Sequence, residues 1–184
     1  MNRRHVLEWL SRVLTVIITA VIGLPAFQYF LGGMKASAAS DSHFERLKRL
    51  QDVPVGRPLL VPVLGSKQDG WTRSDQQVIG RVWLVRDSET DDALGLKAYT
   101  TICPHMGCQV QAQNTESGFI CPCHQADFGL DGQRKSDAHG ISPSPRNMDG
   151  LECRIVSDET TGEKWVEVKY EKFVTGLAQK VARH

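Results

Sequence analysis

The chain opens with a long run of apolar positions. Val13 to Leu31 carry no charge over 19 positions. As a helix this run would extend about 28 Å, which matches the ~30 Å hydrocarbon core of a bilayer. The pattern predicts a single N-terminal transmembrane helix, and we assign residues 1–34 to this anchor.

The charges before this run predict its orientation. Arg3, Arg4 and Arg12 are opposed only by Glu8, so the N-terminus is expected in the cytoplasm and everything beyond the helix on the extracytoplasmic side of the inner membrane. The Arg3-Arg4 pair resembles a twin-arginine export signal, although two arginines can also serve only to orient a helix. A small-residue run at 36–38 is a possible cleavage site, but the apolar run is longer than a usual signal core and favours a retained anchor.

The pattern of apolar and polar residues changes after the anchor. Residues 32–42 are small and polar, which is typical of a flexible tether. Ser42 and Glu45 fit a capping box, and Phe44, Leu47 and Leu50 would share one helical face. We therefore expect residues 35–52 to form a tether with a short helix over 43–51.

From Val53 onward the pattern favours strands. Turn residues separate the apolar runs, and residues 159–163 should make a hairpin turn between the last two. We expect an antiparallel all-β domain over residues 53–171, followed by a C-terminal tail over 172–184. The predicted strands are Leu59–Leu64, Val78–Arg86, Leu96–Ile102, Gly118–Cys121, Leu151–Ser157 and Trp165–Tyr170.

Composition limits the classes of function. The 184 residues are 41% apolar, which is enough for about one domain. The formal net charge of +1 gives no basic excess and argues against a nucleic-acid partner. The most informative feature of the composition is that four of the five cysteines lie within the segment from Cys103 to Cys123.

These cysteines form two boxes with histidines. The first box is Cys103-Pro-His105-Met-Gly-Cys108, and the second, after twelve intervening residues, is Cys121-Pro-Cys123-His124. Each follows a predicted strand, so both should lie on loops that can close on one metal centre. Two thiolates and two imidazoles suit either a tetrahedral zinc ion or an iron–sulfur cluster. Either choice leaves one cysteine per loop, and in an oxidising compartment these two should form a disulfide.

The two boxes resemble those of the Rieske iron–sulfur protein of quinol–cytochrome c reductase (cytochrome bc) complexes, in a low-potential form. The resemblance implies an all-β, Rieske-like antiparallel domain with two cluster-binding loops behind a single transmembrane helix. It also implies one [2Fe–2S] cluster and a disulfide between Cys108 and Cys123. The cluster ligands implied by position are Cys103, His105, Cys121 and His124.

Further positions take roles from the same resemblance. Residues 140–146, and especially Pro143-Ser144-Pro145, are similar to a proline loop that shields the cluster. Many members carry serine and tyrosine where this chain has Ala126 and Phe128. Loss of these two hydroxyl donors should lower the reduction potential, which suits menaquinol better than ubiquinol.

The resemblance implies an electron-transfer subunit. His105 and His124 would be catalytic as both ligands and proton acceptors for a quinol. The implied partners are a cytochrome b-type subunit, a cytochrome c-type acceptor and membrane lipid around the anchor. Two alternatives remain: a Rieske subunit of another redox complex, such as an arsenite-oxidase-like assembly, and a zinc-stabilised exported domain without redox function. Oxygenase ferredoxins share the ligands, but they are soluble and lack the extra cysteine pair.

Overall fold

The computed structural model describes residues 3–35, 44–69, 72–88, 95–113, 118–136 and 142–183. The possible cleavage site at 36–38 and the first part of the predicted tether lie outside these ranges, as do Gly140 and Ile141 of the predicted proline loop. The chain divides into two compact units, the N-terminal helix and a β domain.

The N-terminal unit contains helix α1 (Arg3–Lys35). Within its segment Arg3–Phe30, an 18-residue stretch has a mean hydropathy of 2.0, so the helix is long and apolar enough to cross a membrane, although a signal sequence would have the same properties. The hydroxyls of Thr15 and Thr19 donate to backbone carbonyls one turn earlier, each at 2.8 Å. These bonds satisfy polar groups that would be costly to leave unpaired in lipid.

In the part of the chain that the structure describes, the β domain contains ten strands in three sheets. The sheet orders are β1-β10-β9, β2-β3-β4-β8 and β5-β6-β7, and every strand pairing with a described register is antiparallel. The all-β prediction is therefore confirmed. The strands are β1 (Phe44–Arg49), β2 (Leu59–Asp69), β3 (Thr72–Arg86), β4 (Leu96–Thr100), β5 (Gln111–Gln113), β6 (Gly118–Cys121), β7 (Ala126–Phe128), β8 (Gly150–Leu151), β9 (Cys153–Ser157) and β10 (Lys164–Lys169).

The helix predicted over 43–51 is wrong. Residues 44–49 form β1, which pairs with β10, and a 3₁₀ turn at Leu50–Asp52 follows. A helix of nine residues is marginal alone, whereas pairing with β10 gives the backbone hydrogen-bond partners and buries Leu50 in the core. The β domain therefore begins at or before Phe44 rather than at residue 53.

Two hydrophobic cores hold the sheets together. The first contains residues of β2, β3, β4 and β10. Strand β10 follows β9 through the predicted hairpin, whose turn contains Gly162 with φ +70°. The second lies under the β5-β6-β7 sheet, which joins the two cysteine–histidine boxes. Its members are Trp83, Val85, Tyr99, Cys103, Val110, Phe119, Cys121, Ala126, Phe128 and Met148.

Candidate metal centre

The first box forms a closed loop between β4 and β5. Ile102 and Gln109 make an antiparallel bridge at its base. Above it, the Cys103 N–H donates to the Cys108 carbonyl at 2.8 Å, and the Gly107 N–H donates to the Cys103 carbonyl at 3.0 Å. Gly107 has φ +82°, a left-handed conformation that glycine adopts without steric cost. The loop therefore turns tightly enough to bring both of its cysteines toward the second box.

The second box is a tight turn between β6 and β7. Cys121 ends β6 and lies opposite Ala126, the first residue of β7. The Gln125 N–H donates to the Cys121 carbonyl at 3.0 Å. Gln125 has φ +58°, so a non-glycine residue occupies the left-handed region here. Cys123 and His124 consequently lie at the exposed tip of the turn.

The sulfur atoms of the two boxes fall into two pairs. Cys108 and Cys123 form a disulfide that ties the loops together. Cys103 and Cys121 are free and buried, at 0% and 1% exposure, with their side chains within hydrogen-bonding range of one another. Burial, with a smaller contribution from Cys121, raises the pKa of the Cys103 thiol to about 11. Binding a metal there must therefore displace a firmly held proton.

The disulfide also determines which sulfurs remain for a metal. The sulfurs of Cys108, Cys121 and Cys123 lie within 4.8 Å of one another. Two of these three are already bonded to each other. This trio is therefore not itself a ligand set, and the free thiols of the two boxes are those of Cys103 and Cys121.

The two histidines of the boxes face each other. Their ring centroids are 4.7 Å apart and the ring planes are inclined by 76°. Nδ1 of His105 is buried and has no hydrogen-bond partner among the described residues. A buried nitrogen without a partner is uncommon and suits metal coordination. Two buried thiols and two adjacent imidazoles therefore fit a four-ligand metal centre, while the His124 side chain stays exposed.

An aromatic cluster supports both loops from below. The Trp83 indole N–H donates to the Val110 carbonyl at 3.2 Å, just after the first box. Phe119, which lies two residues before Cys121, packs against Trp83 and Tyr99 at centroid distances of 5.5 and 6.2 Å. Burial raises the pKa of the Tyr99 phenol well above its ordinary value. These large, fully packed rings fix the ends of β5 and β6, on which the boxes depend.

Residues 46–142 match the family model of the Rieske [2Fe-2S] domain. The chain belongs to the Rieske [2Fe-2S] domain family. This confirms the fold and the cofactor expected from the sequence, one [2Fe–2S] cluster. The zinc alternative is thereby set aside in favour of iron and sulfide.

Several proteins are similar to this Rieske domain. An iron–sulfur subunit of the cytochrome b6-f complex from Gloeobacter violaceus is 26% identical over 91% of this chain and 85% of the relative. The chloroplastic subunit from Pisum sativum is 30% identical over 64% of this chain and 60% of the relative. The solved plasma-membrane Rieske protein PetC3 from Synechocystis PCC 6803 is 21% identical, with a TM-score of 0.35 over 57% of this chain and 84% of that one.

The positions predicted to tune the potential lie in the second core. Ala126 is fully buried and opposite Cys121 in the β6–β7 register. Phe128 is also fully buried and pairs with Phe119. Any hydroxyl introduced at either position would therefore be enclosed, close to the turn that carries the second box.

The described part of the predicted proline loop is held by its own backbone and by Arg134. Ser144 is buried, and its hydroxyl donates to the Arg146 carbonyl at 2.7 Å. Arg134 donates to the Ser144 carbonyl at 2.8 Å. Pro143 and Pro145 are half-buried on either side. Shielding of the cluster by this loop stays a prediction.

A buried ion pair at the end of this loop is not predicted by the sequence pattern. The Arg146 guanidinium donates twice to the Asp149 carboxylate, both at 2.8 Å, and the two side chains are 8% and 4% exposed. The contact of the C-terminal segment with the first box is not predicted either. A charged residue directly after the proline run was the only sequence sign, and it does not by itself indicate burial.

Proposed function

We propose that this Rieske protein is the electron-transfer subunit of a bacterial quinol–cytochrome c oxidoreductase, anchored by α1 in the inner membrane. The observation that carries the proposal is that two disulfide-tied loops contribute two buried thiols and two neighbouring imidazoles, one of the imidazoles at an exposed loop tip. Curated relatives that are subunits of the cytochrome b6-f complex support the same class of assembly.

Cys103, His105, Cys121 and His124 would hold the cluster. When bound, it supplies a one-electron acceptor with a potential of about −150 to +300 mV, against about −400 mV for all-cysteine plant-type clusters. Imidazole ligands cause this difference because they are neutral where thiolates are negative. Such a range suits electron removal from a quinol.

The proton of the quinol would pass to a histidine. His124 is exposed, whereas Nδ1 of His105 is buried. We therefore assign the quinol contact to His124, whose outward ring nitrogen can accept a hydrogen bond from the quinol hydroxyl and then hold its proton. His105 would serve mainly as a ligand.

The remaining assignments follow from the sequence pattern. Missing hydroxyls at Ala126 and Phe128 favour menaquinol as the substrate. Basic residues before the helix favour a cytoplasmic N-terminus and a periplasmic cluster domain, exported through the twin-arginine route. The electron would pass from a cytochrome b-bound quinol site to a cytochrome c-type acceptor.

Membranes from a deletion strain test this proposal. Complementation with the full chain should restore quinol–cytochrome c reductase activity and give a Rieske EPR signal after dithionite reduction. His124→Leu should lose both, whereas Cys153→Ser, which alters a thiol outside the boxes, should behave as wild type. Reductase activity that is unchanged by the deletion would refute the proposed function. Stoichiometric zinc without an EPR signal would refute the iron–sulfur cofactor as well, since the same four residues could hold a zinc ion.

A further inference from the structure

The segment after the last strand forms a small closed loop, here called the strap (residues 172–183). Val174 donates to the Val181 carbonyl at 2.9 Å, and Arg183 donates to the Lys172 carbonyl at 2.7 Å. A bridge between Phe173 and Ala182 lies between these bonds. The strap therefore has a defined backbone and is not a free tail.

The tip of the strap contacts the first box. The Gly176 N–H donates to the Pro104 carbonyl at 2.8 Å. Gly176 has φ +79°, a conformation that favours glycine. The Thr175 methyl group is also close to Gly107, at 3.8 Å from the point where a Cβ would stand. The hydrogen bond lands on the residue between Cys103 and His105, two of the proposed ligands.

One buried side chain anchors the strap. Besides its two bonds to Asp149, the Arg146 guanidinium donates to the Leu177 carbonyl at 2.5 Å and to the Val174 carbonyl at 2.8 Å. These carbonyls flank Gly176 on both sides. A planar guanidinium can meet all four acceptors at once, and an ammonium cannot reproduce that geometry.

We propose that the strap positions the first ligand loop from outside, and that Arg146 is the positioning residue that holds the strap in place. The proposal rests on the ligand set given under the proposed function. By fixing the Pro104 carbonyl, the strap fixes the peptide that leads into His105 and so restricts the orientation of that ring. Without the strap, the loop would open more often and the ligand geometry would become heterogeneous.

A second ion pair in the domain provides a matched control. Arg154 donates twice to Glu167, at 3.0 and 2.8 Å, between β9 and β10. This pair joins two strands of the first sheet and has no bond to the strap. Arg154 is 53% exposed and Arg146 8%, so Arg154→Lys controls for the loss of a two-bond pair elsewhere in the domain, and Gly176→Ala controls for the loss of a buried one.

The experiment compares Arg146→Lys, Gly176→Ala and Arg154→Lys in the full chain. We measure amide hydrogen exchange at Cys103 and Gly107, whose N–H groups close the first loop, together with the rate of cluster loss to a chelator and the width of the EPR lines. Loss of about one to two hydrogen bonds should speed exchange and cluster loss by roughly tenfold in the first two variants. Their EPR lines should broaden, and Arg154→Lys should match wild type.

Equal behaviour of Arg146→Lys, Gly176→Ala and the control would overturn the strap proposal. Gly176→Ala leaves the buried pair intact, so it still decides the matter if Arg146→Lys does not fold. The proposed ligand set fails separately, if the wild-type chain holds no cluster. Exchange at Gly107 needs no cluster, so slow exchange in wild type and fast exchange in Gly176→Ala would still support the strap contact.

Discussion

The disulfide between Cys108 and Cys123 should be a large contributor to the stability of the cluster-binding loops. It closes a segment with a sequence separation of 15. In the chain-entropy model, closing a loop of about 15 residues stabilises the folded state by about 3 kcal/mol, because the unfolded chain loses freedom. This is a substantial share of the ~5–15 kcal/mol that holds a typical domain folded.

Replacing both cysteines with serine measures this contribution. With a urea dependence of about 2 kcal/mol per molar, the unfolding midpoint should fall by about 1.5 M. Cys153→Ser is the control, because Cys153 is a free, half-buried thiol outside the two boxes that donates to the Leu96 carbonyl at 3.4 Å. The reasoning is refuted if the double variant and the control unfold at the same urea concentration, since the loops would then be held fully by their backbone bonds.

Four further substitutions test other parts of the site and the fold. Ala126→Ser and Phe128→Tyr should each raise the reduction potential in a potentiometric titration, because a hydroxyl donor stabilises the reduced cluster. A wild-type potential as high as that of hydroxyl-bearing family members would contradict this expectation. Gln125→Gly should raise the free energy of unfolding by about 0.5–1 kcal/mol, since glycine removes the strain of φ +58°. An unchanged free energy of unfolding in a urea titration would argue against backbone strain at this position. Backbone N–H groups of Thr160 and Thr161, with Arg46, hold the pKa of Asp158 below its ordinary value of 3.8. Because the pKa of Asp158 is lowered in the folded state, its carboxylate stabilises the fold at pH values above the ordinary pKa. This stabilisation is lost as the pH falls through the lowered pKa of the folded state. Asp158→Asn should therefore be less stable than wild type at pH 7, with a difference that shrinks in acid, and a difference independent of pH would exclude this origin.

The sequence predicted those features that depend on short spacing. The two boxes fix the candidate ligands by residue type, and the hairpin ending at Gly162 is local in the chain. The strands β5 and β7 were not predicted because each has only three residues, too few for alternation to be visible. Their placement depends on pairing with β6, which is a tertiary property.

The two larger misses have the same cause. A capping pattern at Ser42–Glu45 predicted a helix, but pairing with β10, over 110 positions away, gave a strand. Pairing across that distance leaves no local pattern. The strap likewise depends on Arg146, whose partners Val174 and Leu177 are 28 and 31 residues further along. Burial of a charge becomes visible only when all of its acceptors are in place.

Burial separates the two proposed sulfur ligands from one of the proposed imidazole ligands. Cys103 and Cys121 belong to the second core, whereas His124 is exposed at the loop tip. Burial raises the pKa of the enclosed Cys103 thiol, and the backbone N–H groups of His105 and Met106 oppose that rise with a smaller effect. The imidazole of His124 faces outward, where a proton can be exchanged. In the proposed function, an electron and a proton taken from one quinol would enter through this exposed histidine edge, which lies next to Cys123 and is therefore tied to the first box by the Cys108–Cys123 disulfide.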